Sequence, residues 1–406
     1  MISVITPTHN PKYLPELYAS LLTQTYKDWE WVIFASDGVD CTFADKRVRV
    51  IRNHTQSTSV GFLKNQAFAH GNGDILAEVD HDDVLTPDCL EEVAKAYAAD
   101  TSVGFVYSNN AKLADSFVPY NKDCGWEHRM FDWKGKSYYE MVGFEPDAAG
   151  FSFIWYSPDH IRTWRKDVYL KLGGHNPALT VLDDQDLMIR TYLATKVKFI
   201  DKCLYLYRIT GENTWIKNNA LIQTETVQIY NKYAYQLAER QAELMGLMKV
   251  DLGGGLFKAP GYTSIDQEGG DITADLSKGI PLPDFSVGVL RAHDFIEHVP
   301  DKMKLMSECW RVLSDGGWLM ISVPSTDGRG AFQDPTHVSY WNENCFWYWT
   351  RKEQAQFIRN TKIRFQEFRL ETIYPAQYHV DNKIPYVVAY LRAIKSARRR
   401  PHPIKI

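Results

Sequence analysis

The feature that most constrains the fold of this 406-residue chain is a repeated alternation of short apolar runs with amphipathic helical stripes. In the first 100 residues, the apolar runs that predict buried strands fall at residues 2–6, 29–35, 48–51 and 75–79. Between the first two runs, Leu14, Leu17 and Leu21 form an apolar stripe at helical spacing. Alternating strands and helices predict an α/β domain built on a parallel sheet.

The same alternation begins again near residue 248, which predicts a second α/β domain. A long amphipathic helix is predicted at residues 220–245, between the two patterns. Residues 103–165 are rich in aromatic side chains and are predicted to be irregular. The chain is longer than a single hydrophobic core usually supports, so we divide it into several parts. These are an α/β domain at 1–215, a helical linker at 216–246, a second α/β domain at 247–395 and a basic tail at 396–406.

The composition is that of a globular protein and argues against one that binds nucleic acid through overall charge. Hydrophobic residues make up 45%, charged residues 24%, and the net charge is -4. A basic patch at residues 398–400 keeps a nucleic-acid partner as a minority interpretation. Six scattered cysteines without a CxxC pair predict reduced thiols and a cytoplasmic protein. We find neither a signal peptide nor an apolar run long enough for a membrane span.

Polar clusters follow three of the predicted strands in the first half. Residues 6–9, Asp37 and residues 80–83 each come at or directly after a strand end, where ligands bind in parallel α/β sheets. Any one such cluster caps a turn about as often as it binds a ligand. The acidic series at 80–83 is harder to explain by capping, because its like charges repel unless a cation is present. Mg²⁺ or Mn²⁺ bridging carboxylates to a diphosphate would relieve that repulsion.

The first half of the chain resembles family 2 glycosyltransferases of the GT-A fold. The motifs occur in the family's order over about the first 215 residues. The residues that carry the resemblance are 2–10 (ISVITPTHN), 36–38 (SDG), 73–75 (GDI), 80–83 (DHDD), 173–176 (GGHN), 183–190 (DDQDLMIR) and 207–208 (YR). A P-loop nucleotidase is not favoured, because the chain has no Gly-Lys-Ser/Thr loop.

The resemblance implies roles for individual residues. Those assigned to donor binding are Thr6, Pro7, Thr8, His9, Asp37, Asn65, Asp80 and Asp82. Asp82 and Asp83 would bind Mn²⁺ or Mg²⁺, and Asp184 would be the general base of an inverting transfer. Asp183 and Asp184 could instead only complement a helix dipole. One departure is Ser36-Asp37, where the family commonly has two acids.

In the second half, a set of short motifs stands out at residues 251–255 (DLGGG), 265–266 (ID), 274–276 (ADL), 295–299 (FIEHV), 311–313 (RVL) and 316–319 (GGWL). With these motifs, about residues 248–350 resemble class I S-adenosylmethionine-dependent methyltransferases. The residues assigned to the cofactor are Asp251, Gly253, Gly255, Asp266 and Asp275. Only nine residues, 255–263, separate the first two strands, so the helix that normally joins them must be truncated or missing. Glu297 and His298 form a possible catalytic pair, although this position is more often structural. Two predictions are about equally favoured for residues 334–337 and the aromatic run at 340–349. These residues either line an acceptor pocket or pack in the core.

The sequence therefore predicts a metal-dependent inverting hexosyltransferase that moves a sugar from a nucleotide-sugar, of the UDP type, to a hydroxyl acceptor such as a glycan. Residues 103–165 would face that acceptor. The second domain could methylate the same product. Two alternatives stay open: a glycosyltransferase acting on a modified nucleic-acid base, and a catalytically inactive scaffold that binds nucleotides or sugars.

Overall fold

The computed structural model describes residues 1–400 other than 56, 58, 115, 120–126, 152–156, 212, 256, 360–361 and 399. Two compact units contain Met1–Leu237 and Ala238–Arg398, here called the first and second units. The division lies inside the stretch predicted as a linker, and the boundaries given above stay predictions. Most of the predicted tail at 396–406 lies outside the described residues.

Among its described residues, the first unit contains ten strands, six complete helices and most of a seventh. The strands are β1 (Ile2–Thr8), β2 (Trp29–Ser36), β3 (Val48–Asn53), β4 (Ile75–Glu78), β5 (Val84–Leu85), β6 (Val103–Leu113), β7 (Glu127–Trp133), β8 (Lys136–Val142), β9 (Arg162–Arg165) and β10 (Lys196–Arg208). The helices are α1 (Leu14–Leu22), α2 (Val60–Ala69), α3 (Cys89–Ala99), α4 (Lys166–Lys171), α5 (Asp183–Ala194), α6 (Thr214–Lys217) and α7 (Asn219–Leu244).

These strands form one mixed sheet in the order β3-β2-β1-β4-β9-β6-β10-β5, with β8 beside β6 and β7 beside β8. The four strands from β3 to β4 run parallel, so their carboxyl ends share one edge. Leu14, Leu17 and Leu21 of α1 are buried in the core beneath this sheet, as their spacing predicts. The parallel half of the sheet therefore presents the predicted polar clusters together.

The prediction that residues 103–165 are irregular is wrong, because β6, β7, β8 and β9 lie there. β6 was missed because Ser108, Asn109 and Asn110 interrupt its apolar pattern although all three are fully buried. Asn109 satisfies its polar side chain by bonding Glu140 and the Gly143 N–H. Buried polar side chains with such partners do not disturb a strand, but they hide it from a hydrophobicity pattern.

The part of the second unit that the structure describes contains seven strands, which form a separate sheet. The strands are β11 (Met248–Leu252), β12 (Thr263–Asp266), β13 (Ile272–Thr273), β14 (Val287–His293), β15 (Leu313–Pro324), β16 (Arg364–Ile373) and β17 (Tyr386–Ile394). The remaining helices are α8 (Lys302–Val312), α9 (Gly330–Gln333), α10 (Glu343–Thr350), α11 (Lys352–Ala355) and α12 (Gln377–Asn382).

This sheet has the order β13-β12-β11-β14-β15-β17-β16, with β17 antiparallel to both of its neighbours. It is a doubly wound order in which one antiparallel strand is inserted near an edge. The predicted α/β class is confirmed in both units. Among the described residues between β11 and β12 there is no helix, as the short crossover predicts. Trp341, Phe346 and Trp349 of the aromatic run belong to the core.

Two further sequence expectations concern thiols and membranes. The cysteines within the described residues are free thiols, whereas Cys124 lies outside them. Among the helices that the structure describes, none is both long and apolar enough to cross a membrane. The predicted cytoplasmic localisation stays a prediction.

Candidate active site

A cavity of about 640 Å³ opens at the carboxyl edge of the parallel strands in the first unit. Six of the predicted site residues line it, namely Pro7, Thr8, His9, Asp80, Asp82 and Asp184. They come from the end of β1, the loop after β4 and the first turn of α5. Ser36 at the end of β2 lines the same cavity. The fold thus brings together residues that are up to 177 positions apart in the chain.

Asp80 and Asp82 form the acidic part of this cavity. Burial, with the neighbouring Asp80 carboxylate, raises the pKa of Asp82. The Asp80 side chain is about one third exposed, and its Oδ2 lies 3.9 Å from Nε2 of His160. Burial and the charge of Arg162 lower the pKa of His160, so its imidazole is neutral at pH 7 and does not offset the acids. Oxygen ligands with uncompensated negative charge fit a hard divalent cation.

Asp83 has a different environment from its two acidic neighbours. Its side chain is buried, its Oδ2 accepts a 2.6 Å hydrogen bond from the Tyr205 hydroxyl, and its Oδ1 accepts one from the Arg208 N–H at 2.7 Å. Tyr205 also accepts the Asp80 N–H, and Arg208 donates to the Asp82 carbonyl. The structure therefore places Asp83 beneath the loop, where it holds the backbone that presents Asp80 and Asp82.

Three other predicted donor-site residues also lie outside the cavity lining. Thr6 is fully buried and its hydroxyl accepts a hydrogen bond from the Trp31 indole at 3.0 Å. Asp37 is exposed, and its Oδ1 lies 3.0 Å from Nδ1 of His54. Asn65 donates to the Gly173 and His175 carbonyls, so it ties α2 to the loop after α4. Their predicted roles in donor binding stay predictions.

Asp184 is held in the cavity by a buried arginine. Oδ2 of Asp184 accepts a 2.5 Å hydrogen bond from Nη1 of Arg162, and Oδ1 accepts one from the Gln185 N–H. Burial acts to raise the pKa of Asp184, but the charges of Arg162 and Lys64 outweigh it and the pKa is lowered. The carboxylate is therefore ionised at neutral pH. That is the protonation state a general base requires.

Arg162 and Asp184 belong to a larger buried ionic cluster. Lys64 lies 2.5 Å from Glu78 and 3.8 Å from Asp183, and Arg162 lies 4.0 Å from Glu78. Two cations therefore face three carboxyl groups. Burial raises the pKa of Asp183 to about 7, against the effect of Lys64 and with that of Asp184. At mildly acidic pH, Asp183 therefore retains its proton, so the cluster carries two negative charges instead of three.

This arrangement predicts how stability depends on pH. Asp183 has a raised pKa in the folded chain, so its contribution to the free energy of unfolding is complete below its unfolded pKa, near 3.9. The contribution is lost as the pH rises toward 7. We expect Asp183→Asn to flatten the decline in stability between about pH 4 and pH 7. Urea denaturation at several pH values measures this, and an unchanged decline in the variant would contradict it.

Sequence reasoning missed Lys64, Glu78, His160 and Arg162. Glu78 had a visible signal, because a charged residue interrupts the otherwise apolar run at 75–79 and a buried charge requires a partner. Arg162, His160 and Lys64 had none. Their partners are distant in sequence, and only the pairing of β4 with β9 brings Glu78 opposite Arg162.

In the second unit, the glycine-rich turn after β11 is packed by the chain's own groups. Gly253 has φ +74°, and a Cβ there would lie 2.5 Å from the Phe295 ring. A Cβ on Gly255 would lie 2.2 Å from the Glu268 carbonyl oxygen. Both of these positions assigned to S-adenosylmethionine therefore accept only glycine.

The acids assigned to that cofactor also have partners within the chain. Asp251 is fully buried, paired with Arg291 at 2.7 Å, and accepts the Ala259 N–H. Asp266 accepts the Gly255 N–H, and Asp275 accepts both the N–H and the hydroxyl of Ser277. S-adenosylmethionine binding stays a prediction from the resemblance. We derive no step of a methyl transfer.

Two family profiles match the chain. Residues 3–154 match glycosyl transferase family 2, and residues 258–321 match a family described as a methyltransferase domain. Together with the two sheets, these matches confirm the predicted combination of a GT-A domain and a methyltransferase-type domain.

Known relatives resemble parts of the chain. Glycosyltransferase GlyA of Streptococcus pneumoniae is 26% identical over 277 residues, which are 63% of this chain and 38% of GlyA. The Escherichia coli UDP-Glc:alpha-D-GlcNAc-diphosphoundecaprenol beta-1,3-glucosyltransferase WfgD is 27% identical over 145 residues, which are 31% of this chain and 56% of WfgD. The chain thus spans less than two thirds of these relatives' length.

Solved structures that match part of the chain include S. aureus TarS residues 1–349 in complex with UDP. It is 21% identical, with a TM-score of 0.41, and the match covers 60% of this chain and 70% of that one. The mannosyltransferase PcManGT from Pyrobaculum calidifontis, in complex with GDP-Man and Mn²⁺, is 15% identical, with a TM-score of 0.41 and coverage of 58% and 64%.

Proposed function

We propose that the first unit is a metal-dependent inverting hexosyltransferase. The chain matches glycosyl transferase family 2 at residues 3–154 and a methyltransferase-domain family at residues 258–321. The observation that carries this proposal is the cavity itself. It is lined on one side by Asp80 and Asp82 and on another by the ionised Asp184. An acidic pair for a metal and a separate carboxylate for proton removal are the two parts that such a transfer needs.

The donor in this proposal is a nucleotide-sugar of the UDP type. Pro7, Thr8 and Ser36 line the cavity at the strand ends, where nucleotides bind in α/β sheets. Asp80 and Asp82 would hold Mn²⁺ or Mg²⁺, which when bound neutralises charge on the departing diphosphate. The similarity to WfgD, whose name gives UDP-Glc as its donor, supports a UDP-sugar here.

In the chemical step, an acceptor hydroxyl oxygen forms a bond to the anomeric carbon while the bond from that carbon to the diphosphate oxygen breaks. The electron pair leaves with the nucleoside diphosphate, and Asp184 takes the hydroxyl proton. Arg162 fixes one carboxylate oxygen of Asp184, and the Gln185 N–H fixes the other, so the base keeps a single orientation. Because the orientation of Asp184 is already fixed, less conformational entropy is lost when the transition state forms.

The acceptor side of the cavity is polar and aromatic. Lys112 pairs with Asp159 at 3.1 Å and lies over the Tyr207 ring, 4.4 Å from its centroid. Trp215 and Phe117 also line the cavity. Aromatic faces with adjacent hydrogen-bonding groups suit a sugar, and O-antigen biosynthesis protein RfbC of Myxococcus xanthus, 24% identical over 212 residues, bears a glycan-related name. We therefore propose a glycan hydroxyl as the acceptor.

The test is release of UDP from a panel of UDP-sugars, with Mn²⁺ or with a chelator. We expect UDP to form from at least one donor with Mn²⁺ present, slowly with water and faster with an acceptor glycan. An inactive scaffold would instead bind UDP and raise the melting temperature without any turnover. Binding without UDP release from any donor would therefore contradict the proposal. A steep salt dependence of acceptor binding would favour the nucleic-acid alternative.

A further inference from the structure

A cluster in the second unit is not used by the proposed sugar transfer. Glu297 and His298 lie in the 3-10 turn after β14, and His337 lies in the loop before α10. The loop is fixed against the turn, because the N–H groups of Val338 and Ser339 both donate to the Glu297 carbonyl at 2.9 Å. The possible ligand atoms of Glu297, His298 and His337 lie within 4.8 Å of one another.

The carboxyl group of Glu297 is buried without a hydrogen-bond partner among the described residues. Its side chain is only 3% exposed, and neither Oε1 nor Oε2 has a hydrogen-bond partner among the residues that the structure describes. Asp334, whose Oδ2 lies 3.9 Å from Nε2 of His337, adds a second acid nearby. Buried carboxylates are normally paired, hydrogen-bonded or bound to a metal. A cation placed between these groups would supply the partner.

Both histidines are oriented as metal ligands are. Nδ1 of His298 lies 3.2 Å from the Thr336 carbonyl, and Nδ1 of His337 lies 3.0 Å from the Ala331 carbonyl. Because a carbonyl oxygen only accepts, Nδ1 is the nitrogen that can donate in each contact, which leaves Nε2 as the nitrogen available to a metal. Metal-binding histidines are typically held by such a bond from the other ring nitrogen.

We propose that Glu297, His298 and His337 bind one divalent transition-metal ion, through a carboxylate oxygen and two imidazole Nε2 atoms. Nε2 of His337 lies 3.9 Å from Oε1 of Glu297. Two ligands about 2 Å from a tetrahedral Zn²⁺ lie roughly 3.3 Å apart, so a small side-chain rotation closes the site. Imidazole nitrogen favours Zn²⁺ over Mg²⁺ or Ca²⁺. Three protein ligands leave a position open for water or a substrate oxygen.

Calorimetric titration of the chelator-treated full chain with Zn²⁺ tests this site. We expect one Zn²⁺ to bind to the wild type, and Glu297→Gln and His298→Ala to weaken that binding by at least about 10–100-fold, the range known for outer-shell partners alone. His298 is exposed, so His298→Ala carries the test if Glu297→Gln does not fold. Asp82→Asn, titrated in parallel, identifies any Zn²⁺ bound by the first unit.

His379→Asn is the matched control, because this imidazole belongs to α12, outside the cluster. We expect it to bind Zn²⁺ as the wild type does. The proposal is overturned if the wild type binds no Zn²⁺ beyond what Asp82→Asn loses, or if Glu297→Gln and His298→Ala keep the wild-type affinity. Melting temperatures measured without metal show whether each variant folds before its Zn²⁺ affinity is compared.

Discussion

Asp184→Asn is expected to lower the rate of sugar transfer by about 10²–10⁴-fold, the usual contribution of a general base. The amide has nearly the shape of the carboxylate but cannot accept the hydroxyl proton. Donor binding should persist, because the acidic pair at Asp80 and Asp82 is unchanged. Steady-state kinetics measures the effect, which should appear in kcat while the KM for the donor stays nearly constant.

Asp186→Asn is the matched control for this substitution. Asp186 lies in the same first turn of α5, but its carboxylate pairs with Arg190 at 2.7 Å and does not line the cavity. We expect transfer within a few-fold of the wild type, with a modest loss of stability. Equal losses in both variants would indicate that the acidic turn acts only through helix stability. Wild-type transfer by Asp184→Asn would exclude Asp184 as the base.

Asp82→Asn is expected to remove the response to Mn²⁺. The substitution removes one of the two carboxylates assigned to the metal, so metal affinity should fall by more than the roughly 10–100-fold known for outer-shell partners. Transfer at ordinary Mn²⁺ concentrations should then be lost and should recover in part at high Mn²⁺. The measurement is the melting temperature and the transfer rate with UDP-sugar across a Mn²⁺ series. A Mn²⁺ response equal to that of the wild type would contradict the assignment.

Asp83→Asn distinguishes the two adjacent acids. Both oxygens of Asp83 are used within the loop, and burial, with the charges of Asp80 and Asp82, raises its pKa well above the usual range. A neutral amide keeps the shape and removes that repulsion. We expect Asp83→Asn to retain the Mn²⁺ response, whereas a loss equal to that of Asp82→Asn would show that Asp83 is a metal ligand.

Much of the cavity lining could be predicted, because its residues lie at the ends of predicted strands or at the start of a predicted helix. Thr8, Asp80 and Asp184 each follow or begin an element whose apolar spacing is visible in the sequence. Parallel strands then bring their ends to one edge. The sequence pattern does not show which side chains of a loop are buried and which face the cavity. Asp82 and Asp83 are consecutive acids, yet one lines the cavity and the other lies beneath it, because Tyr205 and the Arg208 N–H bond the carboxylate of Asp83 only.

The sequence alone was enough to identify the acidic series, the strand–helix alternation and the order of the motifs. These features depend on hydrophobic period and turn chemistry, which are properties of neighbouring residues. The ionisation of Asp184 was decided only by the tertiary structure. It depends on Arg162 and Lys64, which reach the same buried volume from β9 and α2. The grouping of Glu297, His298 and His337 likewise required a loop to fold back onto a turn. Electrostatic effects depend on distance in space, and a linear pattern does not contain that distance.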